Sequence, residues 1–134
     1  MYSVGVSDHI MIAHSFKGDP YFGPAGSLHG ATYDVAIEIS TATLNKHFVV
    51  MDIGALKTVL RKVLSKLDYK NLDDAEEFKA IQTTTEFLAG WIAKHLLCEI
   101  AGLPEADRPL SPYKLRATLK ESPNAFATFE SVGS

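Results

Sequence analysis

Hydrophobic and polar positions alternate along residues 2 to 16. Val4, Val6, Ile10, Ile12 and His14 share one parity; Ser3, Ser7, His9, Met11 and Ser15 share the other. A period of two is that of a strand with one buried face. Asp8 interrupts the apolar parity and marks a candidate bend or bulge. Lys17 to Leu28 is rich in glycine and proline and reads as a loop. A second alternation follows, with His29, Ala31, Tyr33, Val35, Ile37 and Ile39 on one face and Thr32, Asp34, Glu38 and Ser40 on the other. The two segments predict a long antiparallel pair.

The period then changes. After Phe48 to Met51, Asp52 is a good N-cap for a helix whose apolar positions are Ile53, Leu56, Val59, Leu60, Val63, Leu64 and Leu67. Lys57, Arg61, Lys62 and Lys66 fall outside that stripe and read as a solvated face. Asp73, Asp74, Glu76 and Glu77 form an acidic connection. A second helix starts near Thr84 or Thr85, carries Leu88, Trp91, Ile92, Leu96 and Ile100, and stops at Gly102 and Pro104. Alternation returns at Lys114–Glu121 and, past the turn signal Ser122-Pro123-Asn124, at Ala125–Val132. The predicted order is β-β-α-α-β-β over one domain, residues 1–134. It is an α+β layer, an antiparallel sheet with both helices on one face. Such a sheet leaves two edges that proteins cover or pair, so edge-to-edge assembly into an oligomeric barrel is expected.

Composition narrows the class. The chain has 134 residues, 46% hydrophobic and 22% charged, with a net charge of −3. This length can bury a core without metal or disulfide staples. The acidic balance argues against a general nucleic-acid binder, which needs clustered Lys and Arg. The single cysteine, Cys98, cannot pair within the chain and reads as a small core residue in a reducing compartment. No apolar run has the length of a membrane span, and the N-terminus lacks a basic flank and apolar core. A soluble, cytoplasmic protein with no membrane partner is expected.

Six segments in order carry a resemblance. They are Ile12-Ala13-His14-Ser15-Phe16, Leu28-His29-Gly30-Ala31-Thr32-Tyr33, Val50-Met51-Asp52-Ile53-Gly54-Ala55-Leu56-Lys57, Leu67-Asp68-Tyr69-Lys70-Asn71-Leu72, Thr84-Thr85-Glu86-Phe87-Leu88-Ala89 and Leu119-Lys120-Glu121-Ser122-Pro123-Asn124. Together they span nearly the whole chain. The sequence resembles the 6-pyruvoyl-tetrahydropterin synthase family, which includes the 6-carboxytetrahydropterin synthases. The resemblance implies the tunnelling (T) fold, whose subunits form trimeric barrels that stack into hexamers, dimers of trimers.

It also implies a zinc ion held by three histidines, one on the first strand and two from a His-Gly-His opening the second. His14 and His29 match two of these positions, and the third is Ala31. Catalytic zinc normally has three protein ligands, so no metal is expected, with His14 and His29 as remnant positions that serve as hydrogen-bonding groups. His9 is the nearest alternative ligand, although it has the opposite parity from His14 unless a bulge intervenes. His47 and His95 lack ligand-like spacing. The family's cysteine base falls at Ala25, and its Asp-His dyad becomes Asp68 and Tyr69. Tyrosine, with an ordinary pKa of about 10, is a poor base near neutrality. Asp68 and Tyr69 are thus the remaining catalytic candidates.

The pterin anchor is retained. The resemblance places Glu121 where a carboxylate accepts two parallel N–H bonds from the pterin, and Thr84, Thr85 and Glu86 where the pterin edge is held. Glu121 closes an otherwise apolar parity of Leu115, Ala117 and Leu119, a costly place for a carboxylate without donors. Thr84, Thr85 and Glu86 also suit plain helix capping. The expectation is a homohexamer that binds a pterin-like small molecule at subunit interfaces without zinc-dependent synthase activity. The alternatives are an active zinc-dependent synthase, a carbon-oxygen lyase acting on dihydroneopterin triphosphate through His9, His14 and His29, and a scaffolding relative with no ligand.

Overall fold

The computed structural model describes residues 1–134. Strands β1 (Tyr2–His14) and β2 (His29–Thr41) pair antiparallel without a break, from Tyr2↔Thr41 to His14↔His29. No bulge forms at Asp8. Its carboxylate meets the Arg61 guanidinium at 3.2 Å, so an ion pair, and not a distorted strand, accommodates the polar residue.

Helix α1 (Ile53–Leu64) begins at Asp52, whose Oδ2 accepts the Ala55 N–H at 2.8 Å. It ends one turn earlier than its apolar repeat suggests. Leu67 is buried in the tight turns that follow, where Leu67 N–H donates to the Leu64 carbonyl. Helix α2 (Thr85–Ala101) is capped by Thr84, whose hydroxyl accepts the Phe87 N–H at 3.1 Å. Between the helices lies β3 (Lys70–Asn71), a strand of two residues parallel to β1 at Ile12 and Ala13. It was not foreseen, because two residues display no period. Strands β4 (Tyr113–Ser122) and β5 (Ala125–Gly133) form the closing hairpin. The sheet order is β3-β1-β2-β4-β5, five strands where four were expected.

One core of 28 buried residues fills the space between sheet and helices. Ile10, Val35, Ile37, Ile39, Leu115 and Leu119 face Leu56, Leu60, Leu64, Leu88, Ile92 and Ile100, each less than 2% exposed. Burying a side chain of this size contributes roughly 1.5–3 kcal/mol, which holds both helices on one face. The other face is open and polar, with Asp34 and Lys120 exposed and Glu38 half-buried.

Two expectations about exposure change. Cys98 is exposed on α2 and is not a core residue. Arg61 is not a free solvated cation: besides Asp8, it meets Asp68 at 2.7 Å. Lys62 pairs with Glu99 on α2 at 2.8 Å.

Candidate functional site

The β1–β2 register makes His14 and His29 direct partners at the open end of the hairpin. Their ring centroids lie 4.6 Å apart, edge to face. His29 Nδ1–H donates to the Ser27 carbonyl at 2.8 Å, which leaves Nε2 as its bare nitrogen. His14 is 1% exposed, and its Nδ1 is hydrogen-bonded to the hydroxyl of fully buried Thr83 at 3.0 Å. Phe16 packs edge-on against His14, and Phe22 lies over Phe16 at 4.3 Å. Burial and the neighbouring His29 ring hold His14 below the usual imidazole pKa of 6.5, against the opposing hydrogen bond from Thr83. The ring is therefore neutral at pH 7.

Asp73 is the nearest carboxylate coupled to His14. Its oxygens accept the Ser15 N–H at 3.2 Å and the Ser15 hydroxyl at 2.5 Å. Desolvation pushes this carboxyl up, but the two Ser15 bonds outweigh it and leave the pKa below 3.8. Ala31, inward-facing beside His29, offers only a methyl group. His9 stands on the other face of the unbroken β1, its side chain 69% exposed beside Asp8. No three His, Cys, Asp or Glu side chains converge as a metal-binding group. Two imidazoles and a methyl are a poor fit to a catalytic zinc centre with three protein ligands.

The acid–base candidates lie elsewhere. Ala25 sits in the short helical turn Pro20–Gly26 and has no ionisable group. Asp68 Oδ1 accepts the Met11 N–H at 2.9 Å and Oδ2 accepts Arg61 Nη2 at 2.7 Å, so both oxygens are committed. Tyr69, in the left-handed region at φ 59°, projects into solvent while its N–H donates to the Met11 carbonyl at 2.7 Å. Both residues flank the outer edge of β1. His47 is in the turn after β2, its N–H bonded to Asn45 Oδ1. His95 stacks on Trp91 within α2.

A second group forms where β2 and β4 meet. The last paired step, Asp34↔Lys120, leaves Tyr33 and Glu121 as the next residues of the two strands, where β4 carries a register shift against β5 between Lys120 and Ser122. Tyr33 is 2% exposed. Burial raises its phenol pKa above 10, the Thr85 side chain opposes this, and the nearby carboxylates of Glu121 and Glu86 add to it. Thr85, Glu86 and Glu121 thus all lie within electrostatic reach of Tyr33. Tyr33 has the inward parity of any β2 core residue and carries no separate signal in the sequence; its nearness to Glu121 and Glu86 identifies it. Glu121 itself is exposed and makes no hydrogen bond or ion pair within the chain. The Thr83–His14 bond fastens the segment before α2 to the histidine pair, and Thr85 and Glu86 at the start of α2 lie near Tyr33.

Residues 3–132 match the profile of the family described as 6-pyruvoyl tetrahydropterin synthase, and the chain belongs to that family. The solved 6-pyruvoyl tetrahydropterin synthase of Caenorhabditis elegans is similar over 99% of this chain and 96% of its own, at a TM-score of 0.76 and 22% identity. A Plasmodium vivax 6-pyruvoyltetrahydropterin synthase, in a variant whose catalytic glutamate is replaced by cysteine, covers 98% of each chain at a TM-score of 0.72 and 21% identity. An uncharacterized protein from Wolinella succinogenes covers 99% of this chain and 98% of its own at a TM-score of 0.66 and 16% identity. At these identities the likeness is one of fold. No curated protein matches the chain. No helix is long and apolar enough to cross a membrane.

Proposed function

We propose that this chain binds a pterin-like heterocycle through Glu121, with Thr84, Thr85 and Glu86 along the ligand edge, and that it does so without zinc-dependent synthase chemistry. The observation that carries the reading is the Glu121 carboxylate at the end of β4, exposed and without a partner inside the chain, near buried Tyr33. An amino-pyrimidinone offers two parallel N–H donors, which a carboxylate accepts in bidentate fashion and holds more strongly than a neutral acceptor would. Family membership supports a pterin as the heterocycle. The exposed Glu121 leaves one side of the ligand uncovered by this chain, which supports a site at the boundary between subunits of a homohexamer in the cytoplasm. The acidic charge balance argues against nucleic acid or an anionic membrane surface as a partner.

The metal-free part of the reading rests on the donor set of His14, His29 and Ala31. The competing reading, an active synthase with His9 as third ligand, requires His9 on the His14 face; the continuous register argues against it. Titration with neopterin, followed by its fluorescence and by thermal shift, tests the binding. Saturable binding that Glu121→Ala weakens by at least tenfold is expected, since the variant loses a charge-assisted pair of bonds. A wild-type protein indifferent to saturating pterin would remove the proposal. Stoichiometric zinc together with turnover of dihydroneopterin triphosphate would establish the active synthase instead.

A further inference from the structure

We infer that His14 is a positioning residue for the ligand-binding segment, acting through Thr83 and independently of any metal. The inference rests on the reading that Thr84, Thr85 and Glu86 contact the ligand. Its structural basis is how little else holds that segment. No backbone amide from Gln82 to Phe87 donates to another backbone carbonyl; the next such bond is Leu88 N–H to the Thr84 carbonyl at 3.0 Å. Side chains supply the attachment. Gln82 Nε2 donates to the Phe16 carbonyl at 3.0 Å, and the Thr83 hydroxyl bonds His14 Nδ1 at 3.0 Å. Both partners belong to the end of β1 or the residues just after it.

Alternation assigns the three threonines different tasks. Thr83 faces the sheet and is fully buried. Thr84, in extended conformation, turns its hydroxyl onto the Phe87 N–H as the cap of α2. Thr85 is the first residue of α2. The entry to α2 is therefore pinned at Gln82 by the Phe16 carbonyl and at Thr83 by His14, with the capping residue next in sequence. Because Thr83 is fully buried, losing the imidazole nitrogen strands its hydroxyl without a water to replace it. The resulting penalty loosens the same three residues that the ligand uses.

Three single variants and one double test this. His14→Phe keeps an aromatic ring but removes the nitrogen, whereas His14→Asn retains a donor and an acceptor near Nδ1 and loses Nε2. Thr83→Val removes the other partner with little change of shape, and carries the test alone should His14→Phe not fold. Two readouts are taken on each protein: amide exchange over residues 83–90 without ligand, and neopterin affinity. His14→Phe and Thr83→Val are expected to speed exchange about tenfold and to weaken neopterin about tenfold, with the double variant no worse than either single. His14→Asn is expected to stay within about twofold of wild type on both readouts, matching one retained hydrogen bond. Unchanged exchange in both His14→Phe and Thr83→Val would overturn the inference. So would His14→Asn losing affinity as His14→Phe does while Thr83→Val binds normally, because that pattern belongs to Nε2. If wild-type protein binds no pterin, the functional reading fails by itself, and the exchange measurement still decides the positioning role.

Discussion

A neutral, buried His14 makes the stability of this protein sensitive to mild acid. Its pKa in the fold lies below 6.5, so as pH falls the unfolded chain takes up a proton first. The stability tied to the neutral ring is complete above about 6.5 and is lost as pH drops through the lowered folded value. Asp73 has the same sign in a lower window, its contribution present above 3.8 and lost as pH falls through its depressed value. Urea unfolding should therefore show a midpoint that declines between pH 7 and pH 5, and His14→Asn should flatten that decline while leaving the more acidic limb. A midpoint independent of pH in wild type would show that His14 titrates normally. At this scale the sequence was informative where parity and residue type disagreed. A carboxylate ending the apolar parity of β4 agreed with the family resemblance at Glu121, whereas Ala31 fits its apolar face and was singled out by the resemblance alone. Tyr33 and Arg61 conform locally, and their roles depend on partners 88 and 53 residues away, Glu121 and Asp8. Local pattern carries no record of such pairings.

Among the elements, the contact with the largest consequence is the one that fastens α1 to β1. Arg61 spans Asp8 and Asp68, and Asp68 in turn accepts the Met11 amide. Removing the cation leaves two partly buried carboxylates facing each other. Arg61→Met should cost about 1–3 kcal/mol, and Asp68→Asn, which keeps the Met11 bond but weakens the ionic one, about 1 kcal/mol. Urea denaturation measures both. Full stability in Asp68→Asn would mean that this carboxylate is not needed for the fold and is free for other work. The strands and helices long enough to repeat their period three or more times were legible from sequence. β3 was not, since its two residues are recruited by the exposed edge of β1 through backbone bonds. The Asp8 irregularity was visible, but its resolution by a distant arginine was not.

For the whole molecule, the two sheet edges are unequal. On β1, residues 9 to 13 are covered by Arg61, Asp68, Tyr69 and β3, whereas β5 is uncovered along its length. Phe126 and Val132 stand 65% and 68% exposed on that strand. If subunits pair edge to edge, Phe126→Lys should shift light scattering from a hexamer toward smaller species while circular dichroism stays unchanged; an unaltered hexamer would place the interface elsewhere. The layer architecture followed from the change of period along the chain, because a period of two and one of 3.6 cannot share an element. Its assembly could only be anticipated from the open edges. The central pairing also has a kinetic side. β2 meets β4 through partners such as Val35 and Leu119, far apart in sequence, while the β1–β2 hairpin is complete at Thr41. At about 5–20 residues per second of synthesis, the hairpin waits several seconds before α2 exists to shield it. During that interval its apolar ribbon from Val4 to Ile39 is the part of the nascent chain most in need of a chaperone, and the slow event in folding is the closure that joins the chain's first third to its last.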